Sequence, residues 1–180
     1  MKEPIESAQN LRKAKVYRYS GCVPLLLAVF FLMSTQYLLF LIFFGLYYLM
    51  FGLTGTAGRF WRKGRFGLSS LCLFLTVPMT LLPYWKAEYY LIASMTASSR
   101  GKVALALNTA RKVKPEALVL NNRKALLYGQ MAALCFDSGE MEEGKAYLKQ
   151  AKETPHDQTL DKQFERMGQK LREEKKRKEC

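Results

Sequence analysis

The chain has 180 residues, 49% of them apolar, and carries 28 Lys and Arg against 15 Asp and Glu, a formal charge of +13, with a single histidine. That length accommodates one small membrane unit and one small soluble unit. Four cysteines, at 22, 72, 135 and 180, lie far apart with no C-x-x-C pair, which excludes a disulfide framework.

Residues 1–18 form a basic lead-in with Arg12, Lys13, Lys15 and Arg18. It lies along lipid headgroups as a helix or serves as an unstructured tail that only sets orientation. From Tyr19 to Gly58 no Asp, Glu, Lys, Arg or His occurs. About 20 apolar residues cross the ~30 Å hydrocarbon core as a helix, so this run predicts two crossings, 19–34 and 36–56, folding back at Ser34-Thr35-Gln36. Arg59, Arg62, Lys63 and Arg65 follow it, and no acidic residue stands between Glu6 and Glu88. Basic flanks on both sides of the pair place the N-terminus in the cytoplasm.

A second uncharged run, 66–85, is long enough for a third span, with Pro78 and Pro83 allowing a kinked or re-entrant segment instead. A third crossing makes the protein an integral, multi-pass membrane protein of transmembrane region 19–85, with its C-terminal domain on the non-cytoplasmic side. The basic residues before Lys86 are then explained by membrane edges, and nucleic acid is not expected as a partner.

After Lys86 the pattern is that of amphipathic helices, at about 86–97, 102–113, 116–137, 140–152 and 158–177, separated by Ser99-Arg100-Gly101, Lys114-Pro115, Ser138-Gly139 and Thr154-Pro155. Val103, Leu107, Ala110 and Val113 form one apolar stripe, and Leu127, Met131, Leu134 and Cys135 another. No strand pattern competes, so the fold class is all-α. In 157–180, a capping helix and basic tail, Leu160, Phe164, Met167 and Leu171 make a single stripe that closes the open end of the preceding helices, with Asp157 or Thr159 as N-cap.

An internal similarity sets Leu107, Ala110 and Pro115 beside Leu148, Ala151 and Pro155, an offset of 40 or 41 residues. The second copy reads Tyr128-x2-Met131-Ala132-x2-Cys135, then Gly139, Gly144-x3-Leu148, Ala151 and Pro155. This resembles the tetratricopeptide repeat, whose pattern is W-x2-L-G-x2-Y, then A-x3-F, then P. The first copy departs from it, with Ala87, Leu91 and Ser94 in the first helix and extra residues near Leu118 to Lys124.

The resemblance covers 86–156 and implies a stack of helical hairpins with a groove for a protein partner. It implies Tyr128, Gln130, Ala133 and Phe136 as partner-binding positions, with Lys124 at the rim, and that Phe136→Ala removes binding while leaving the fold intact. A generic stack of helical hairpins is the alternative. Because at least three repeats are normally needed, the helical region is expected to lean on the third span or to form a homo-oligomer.

Candidate chemistry is sparse. His156 follows a helix-ending proline and reads as an exposed loop residue, and Asp137, Glu140, Glu142 and Glu143 favour the start of the following helix. No phosphate loop, nucleophile elbow or metal-ligand spacing occurs. The expectation is therefore a non-enzymatic protein, without cofactor, metal or catalytic residues: a membrane-anchored scaffold or adaptor that binds another protein. The alternative is a hairpin protein that shapes the bilayer or stabilises a membrane complex, with lipid as its partner.

Overall fold

The computed structural model describes residues 8–20, 22–33 and 37–179; the fold-back expected at Ser34–Gln36 lies outside them. Ten α-helices follow one another: α1 (Ala8–Ser20), α2 (Cys22–Met33), α3 (Tyr37–Phe51), α4 (Thr54–Arg62), α5 (Phe66–Leu75), α6 (Pro83–Ser98), α7 (Val103–Ala110), α8 (Asn121–Asp137), α9 (Met141–Glu153) and α10 (Gln158–Glu179), with a 3-10 turn at Pro115–Ala117. The described residues contain no strand, in agreement with the all-α expectation.

The membrane crossings are not found. No helix among the described residues is long and apolar enough to cross a membrane. The segment expected as a second span breaks at Gly52, whose φ of +56° ends α3. The Leu53 amide then donates to Thr76 Oγ1 at 3.0 Å, a residue from another part of the chain. A Cβ at Gly52 would stand 2.4 Å from Thr76 Cγ2, so glycine is required there for space as well as for its backbone. The third span stops at Leu75, because Thr76 is extended (ψ 132°) and Pro78 follows. A helix restarts only at Pro83, in its first turn, where a missing N–H costs nothing.

At 1.5 Å per residue the 12 residues of α2, 15 of α3 and 10 of α5 extend roughly 18, 22 and 15 Å, short of the ~30 Å hydrocarbon core. The multi-pass integral placement is therefore corrected. So is the sidedness derived from it, with a cytoplasmic N-terminus and a non-cytoplasmic C-terminal domain.

The run 66–85 is instead part of the helical stack. α4–α5, α6–α7 and α8–α9 are three successive helical hairpins closed by the same device. The first helix of each ends on a glycine with positive φ: Gly64 (+70°), Gly101 (+72°) and Gly139 (+82°), 37 and 38 residues apart. The next residue's amide reaches back five positions in every case, Arg65 to Phe60 O (2.9 Å), Lys102 to Ala97 O (3.0 Å) and Glu140 to Cys135 O (2.8 Å). This is the Schellman arrangement, which satisfies carbonyls left open at a helix end.

Seven residues before each turn glycine stand Ala57, Ser94 and Ala132, and five after it Ser69, Ala106 and Gly144, all buried. Small side chains at these two positions let the paired helices approach closely. Ser94 Oγ donates to Ala106 O across the second hairpin at 2.8 Å, and a Cβ on Gly144 would stand 2.4 Å from the Phe136 ring.

The hairpins pack in order. Ala57 and Leu73 of the first meet Ile92 of α6, with Trp61 and Tyr89 against them, and Ser69 Oγ is hydrogen-bonded to Thr96 Oγ1 at 3.2 Å inside that contact. Leu91, Met95, Leu107 and Ala110 join Leu127, Met131 and Leu134 of α8 in the largest core, with Leu118 filling the connection. The support anticipated for a two-hairpin stack thus comes from α4–α5.

At the far end, Leu160 and Phe164 of α10 close over Ala125, Ala132, Leu148 and Ala151, with Met167 against them; the side chain of Leu171 is outside those described. Asp157 is the N-cap: its Oδ1 accepts from the Leu160 amide at 2.9 Å. Asn122 at the start of α8 holds Asp157 twice, Nδ2 donating to Oδ2 at 3.0 Å and Oδ1 accepting the Asp157 amide at 3.1 Å.

Candidate functional site: the cleft between α8 and α10

Residues 126, 129, 130 and 133 recur at helical spacing and place Leu126, Gly129, Gln130 and Ala133 on one face of α8. Opposite them stand Gln163, Phe164, Arg166 and Met167 of α10, and between the two helices lies an open cleft of about 270 Å³. Phe164 forms its floor, only 1% exposed. Gly129 makes that possible, since a Cβ there would lie 2.4 Å from Phe164 Cε1. The imidazole of His156 meets the Phe164 ring edge-on at 5.0 Å between centroids. The cleft is thus an apolar trough with Gln130, Gln163 and Arg166 among its polar lining.

Two of the five residues expected in the groove, Gln130 and Ala133, line this cleft. The other three do not. Lys124 is half-buried near the start of α8. Tyr128 packs with the cluster beneath α9 and α10, and so does Phe136, whose ring lies over Gly144 inside the α8–α9 hairpin. Replacing Phe136 with Ala removes part of that seam, so the expectation of an intact fold conflicts with its packing. Gly129, Phe164 and Met167 were missed as cleft residues. A glycine inside a helix costs about 1 kcal/mol relative to alanine, and that unexplained cost was the available signal for a close approach.

His156 is likewise corrected. Its side chain is only 9% exposed, with Nδ1 2.6 Å from Thr154 O and Nε2 3.6 Å from Asp161. It braces Phe164 and does not project from a loop.

No protein family matches the chain, and no curated protein or solved structure is detectably similar to it.

Two further charged groups lie outside the cleft. Arg111, just after α7, donates from Nη2 to Glu140 Oε2 at 2.6 Å and to Glu143 Oε2 at 2.8 Å, clamping the second hairpin to the third. Cys135 lies beside this clamp, its Sγ 3.9 Å from Glu140 Oε2. Burial, with the charges of Glu143 and Glu140, pushes the Cys135 thiol up to about 11. Cys135, Glu140 and Glu143 bring three ligand-type atoms within 4.8 Å of one another. The guanidinium already serves both carboxylates, and a protonated thiol is a poor ligand.

Glu88 of α6 is buried, 5% exposed. Arg123 Nε stands 3.5 Å from its Oε1, close enough for attraction, but that oxygen accepts no hydrogen bond. Burial raises the Glu88 carboxyl above the ordinary range, opposed by Arg123 and Arg62. The pair ties α6 to α8, and neither member belongs to the cleft lining.

Proposed function

We propose that the protein is a non-enzymatic interaction scaffold. Its three helical hairpins and closing α10 act as a tetratricopeptide-like stack that receives a short segment of a partner protein between α8 and α10. The carrying observation is the cleft itself: an apolar floor of Phe164, Met167 and Leu126 beside Gln130, Gln163 and Arg166. Such a trough suits one apolar side chain of the partner, with amide partners for its backbone and a guanidinium for a nearby carboxylate. Among the lining residues there is no nucleophile paired with a base, which is what an enzymatic reading would require. The repeated glycine turns and the buried small residues around them support the repeat reading, because three stacked units meet the number such an architecture normally needs.

A displayed library of short peptides selected on the full chain tests this reading. Ligands carrying an apolar residue next to Asp or Glu are expected, and they should lose binding to Ala133→Arg, which fills the cleft. Ala104→Arg, on an exposed position of α7, should leave binding unchanged. Failure to recover ligands, or ligands indifferent to Ala133→Arg, refutes the assignment.

A further inference from the structure

The α2–α3 hairpin has no place in the stack. The two helices pack against each other, and apart from α1 against α2 they make only slight contact with the other described helices. Their outward surface is apolar and open: Leu26 is 68% exposed, Phe30 62%, Leu38 73% and Leu41 61%. Val23, Leu25, Leu27 and Val29 are exposed as well. At about 100° per residue the exposed α2 positions span an arc of roughly 200°, and every residue of α2 is apolar. A protein groove covers a stripe; a helix apolar nearly all round is matched by surroundings that are apolar on every side.

Both ends of the hairpin are fixed at one place. Tyr17, ahead of α2, stacks on Tyr84 with centroids 4.9 Å apart, and Phe51, at the end of α3, meets Trp85 edge-on at 5.9 Å. Tyr84 and Trp85 touch each other at 5.4 Å, so four aromatic rings form the base. Beyond that base in sequence, exposed basic residues flank the hairpin on both sides: Arg12, Lys13 and Lys15 on α1, and Arg59, Arg62, Lys63 and Arg65 after α3. No acidic residue interrupts them between Glu6 and Glu88. The loop after α5 adds apolar surface at the same level, because Thr76 abuts Gly52 while Val77 and Met79 stay exposed.

From this geometry we infer that the hairpin inserts into one leaflet of an anionic lipid bilayer without crossing it. The roughly 18 and 22 Å lengths of α2 and α3 exceed the ~15 Å of one leaflet's hydrocarbon and fall short of the ~30 Å of both. An aromatic base is at home at headgroup level, and the basic flanks complement anionic headgroups. The α8–α10 cleft plays no part in this, so the inference stands or falls independently of the scaffold reading.

Flotation of the full chain with phosphatidylcholine vesicles, with and without phosphatidylglycerol, tests it. The protein is expected to float with the anionic vesicles and to bind less as salt rises. Leu26→Glu with Leu41→Glu should lower partitioning by at least about tenfold, with circular dichroism confirming that the stack is retained. Arg12→Gln, Lys13→Gln and Lys15→Gln together leave the apolar hairpin untouched and should abolish much of the preference for phosphatidylglycerol. In a third arm, an impermeant maleimide sealed inside the vesicles should label Leu38→Cys no more than it labels the wild type.

Absence of flotation, or flotation unaffected by both sets of substitutions, overturns the inference. So does added labelling of Leu38→Cys from inside, which means a crossing. A lipid-free dimer that the glutamate pair disrupts, in a protein that ignores vesicles, would assign the apolar surface to a second copy of the chain.

Discussion

Gly129→Ala sets two opposing effects against each other at one atom. Alanine is the better helix former by about 1 kcal/mol, and Gly129 lies well inside α8, so on local grounds the substitution stabilises. The added methyl, however, would stand 2.4 Å from Phe164 Cε1 and 3.1 Å from its Cζ. The ring cannot easily withdraw, because it is 1% exposed and His156 stands against its edge. Forcing such a contact in a packed core costs typically 1–3 kcal/mol, so the net expectation is a loss of up to about 2 kcal/mol. Urea denaturation of the full chain, followed by circular dichroism, measures it. Phe164→Leu should be destabilising alone yet reduce the penalty of Gly129→Ala when the two are combined, giving a favourable interaction energy in the double-mutant cycle. If Gly129→Ala exceeds the wild type in stability, the close packing of α10 on α8 is wrong, and with it the floor of the cleft.

Asp157→Ala should cost about 1 kcal/mol through loss of the α10 cap. The Leu160 amide and Asn122 hold the Asp157 carboxyl below its usual range; its stabilisation is therefore present above the unfolded value and lost as pH falls through the folded one, so parallel denaturation series should show the deficit shrinking in acid. For Glu88 the sign is reversed: burial raises the carboxyl, so its contribution is favourable below the unfolded value and disappears as pH rises through the folded one. Glu88→Gln should consequently raise the denaturation midpoint at pH 7 and lose that advantage toward pH 4; no gain at pH 7 would mean that Arg123 fully compensates the buried charge. Cys135, with its thiol raised to about 11, should resist iodoacetamide at pH 8 in the native protein and react on unfolding, as peptide mapping of the alkylated cysteines can establish.

The helices of the second half were legible because their apolar stripes and their breaks agree. Gly101, Pro115, Gly139 and Pro155 stand where the chain turns, and α6, α7, α9 and α10 begin and end close to the expected positions, whereas α8 begins five residues later than expected, at Asn121, because a 3-10 turn at Pro115–Ala117 and the extended Leu118 and Leu120 precede it. The first half was misread because uncharged length does not distinguish one long helix from two short ones. What divides α3 from α4 is a contact 23 residues away in sequence, between Leu53 and Thr76, and composition carries no trace of it. The α4–α5 hairpin was hidden for the same reason: α5 looks like lipid-facing sequence, yet it buries Ser69 and Leu73 against its neighbours and leaves Phe74 outward. Half of the candidate cleft was visible as a helical face carrying Gln130 and Ala133. The opposing half required knowing that α10 lies along α8, and only Gly129 hinted at it.

The aromatic base of the hairpin also equips the molecule with an optical gauge. The chain contains two tryptophans, and both indole N–H groups are buried without an acceptor. Trp85 touches Phe51 on one side and Tyr84 on the other. Any displacement of α2–α3 that parts Phe51 from Trp85 opens one wall around that indole to water and shifts its emission to the red. Substituting Trp61 with Phe isolates the signal, so the hairpin's departure from the body can be followed in real time without attaching a dye.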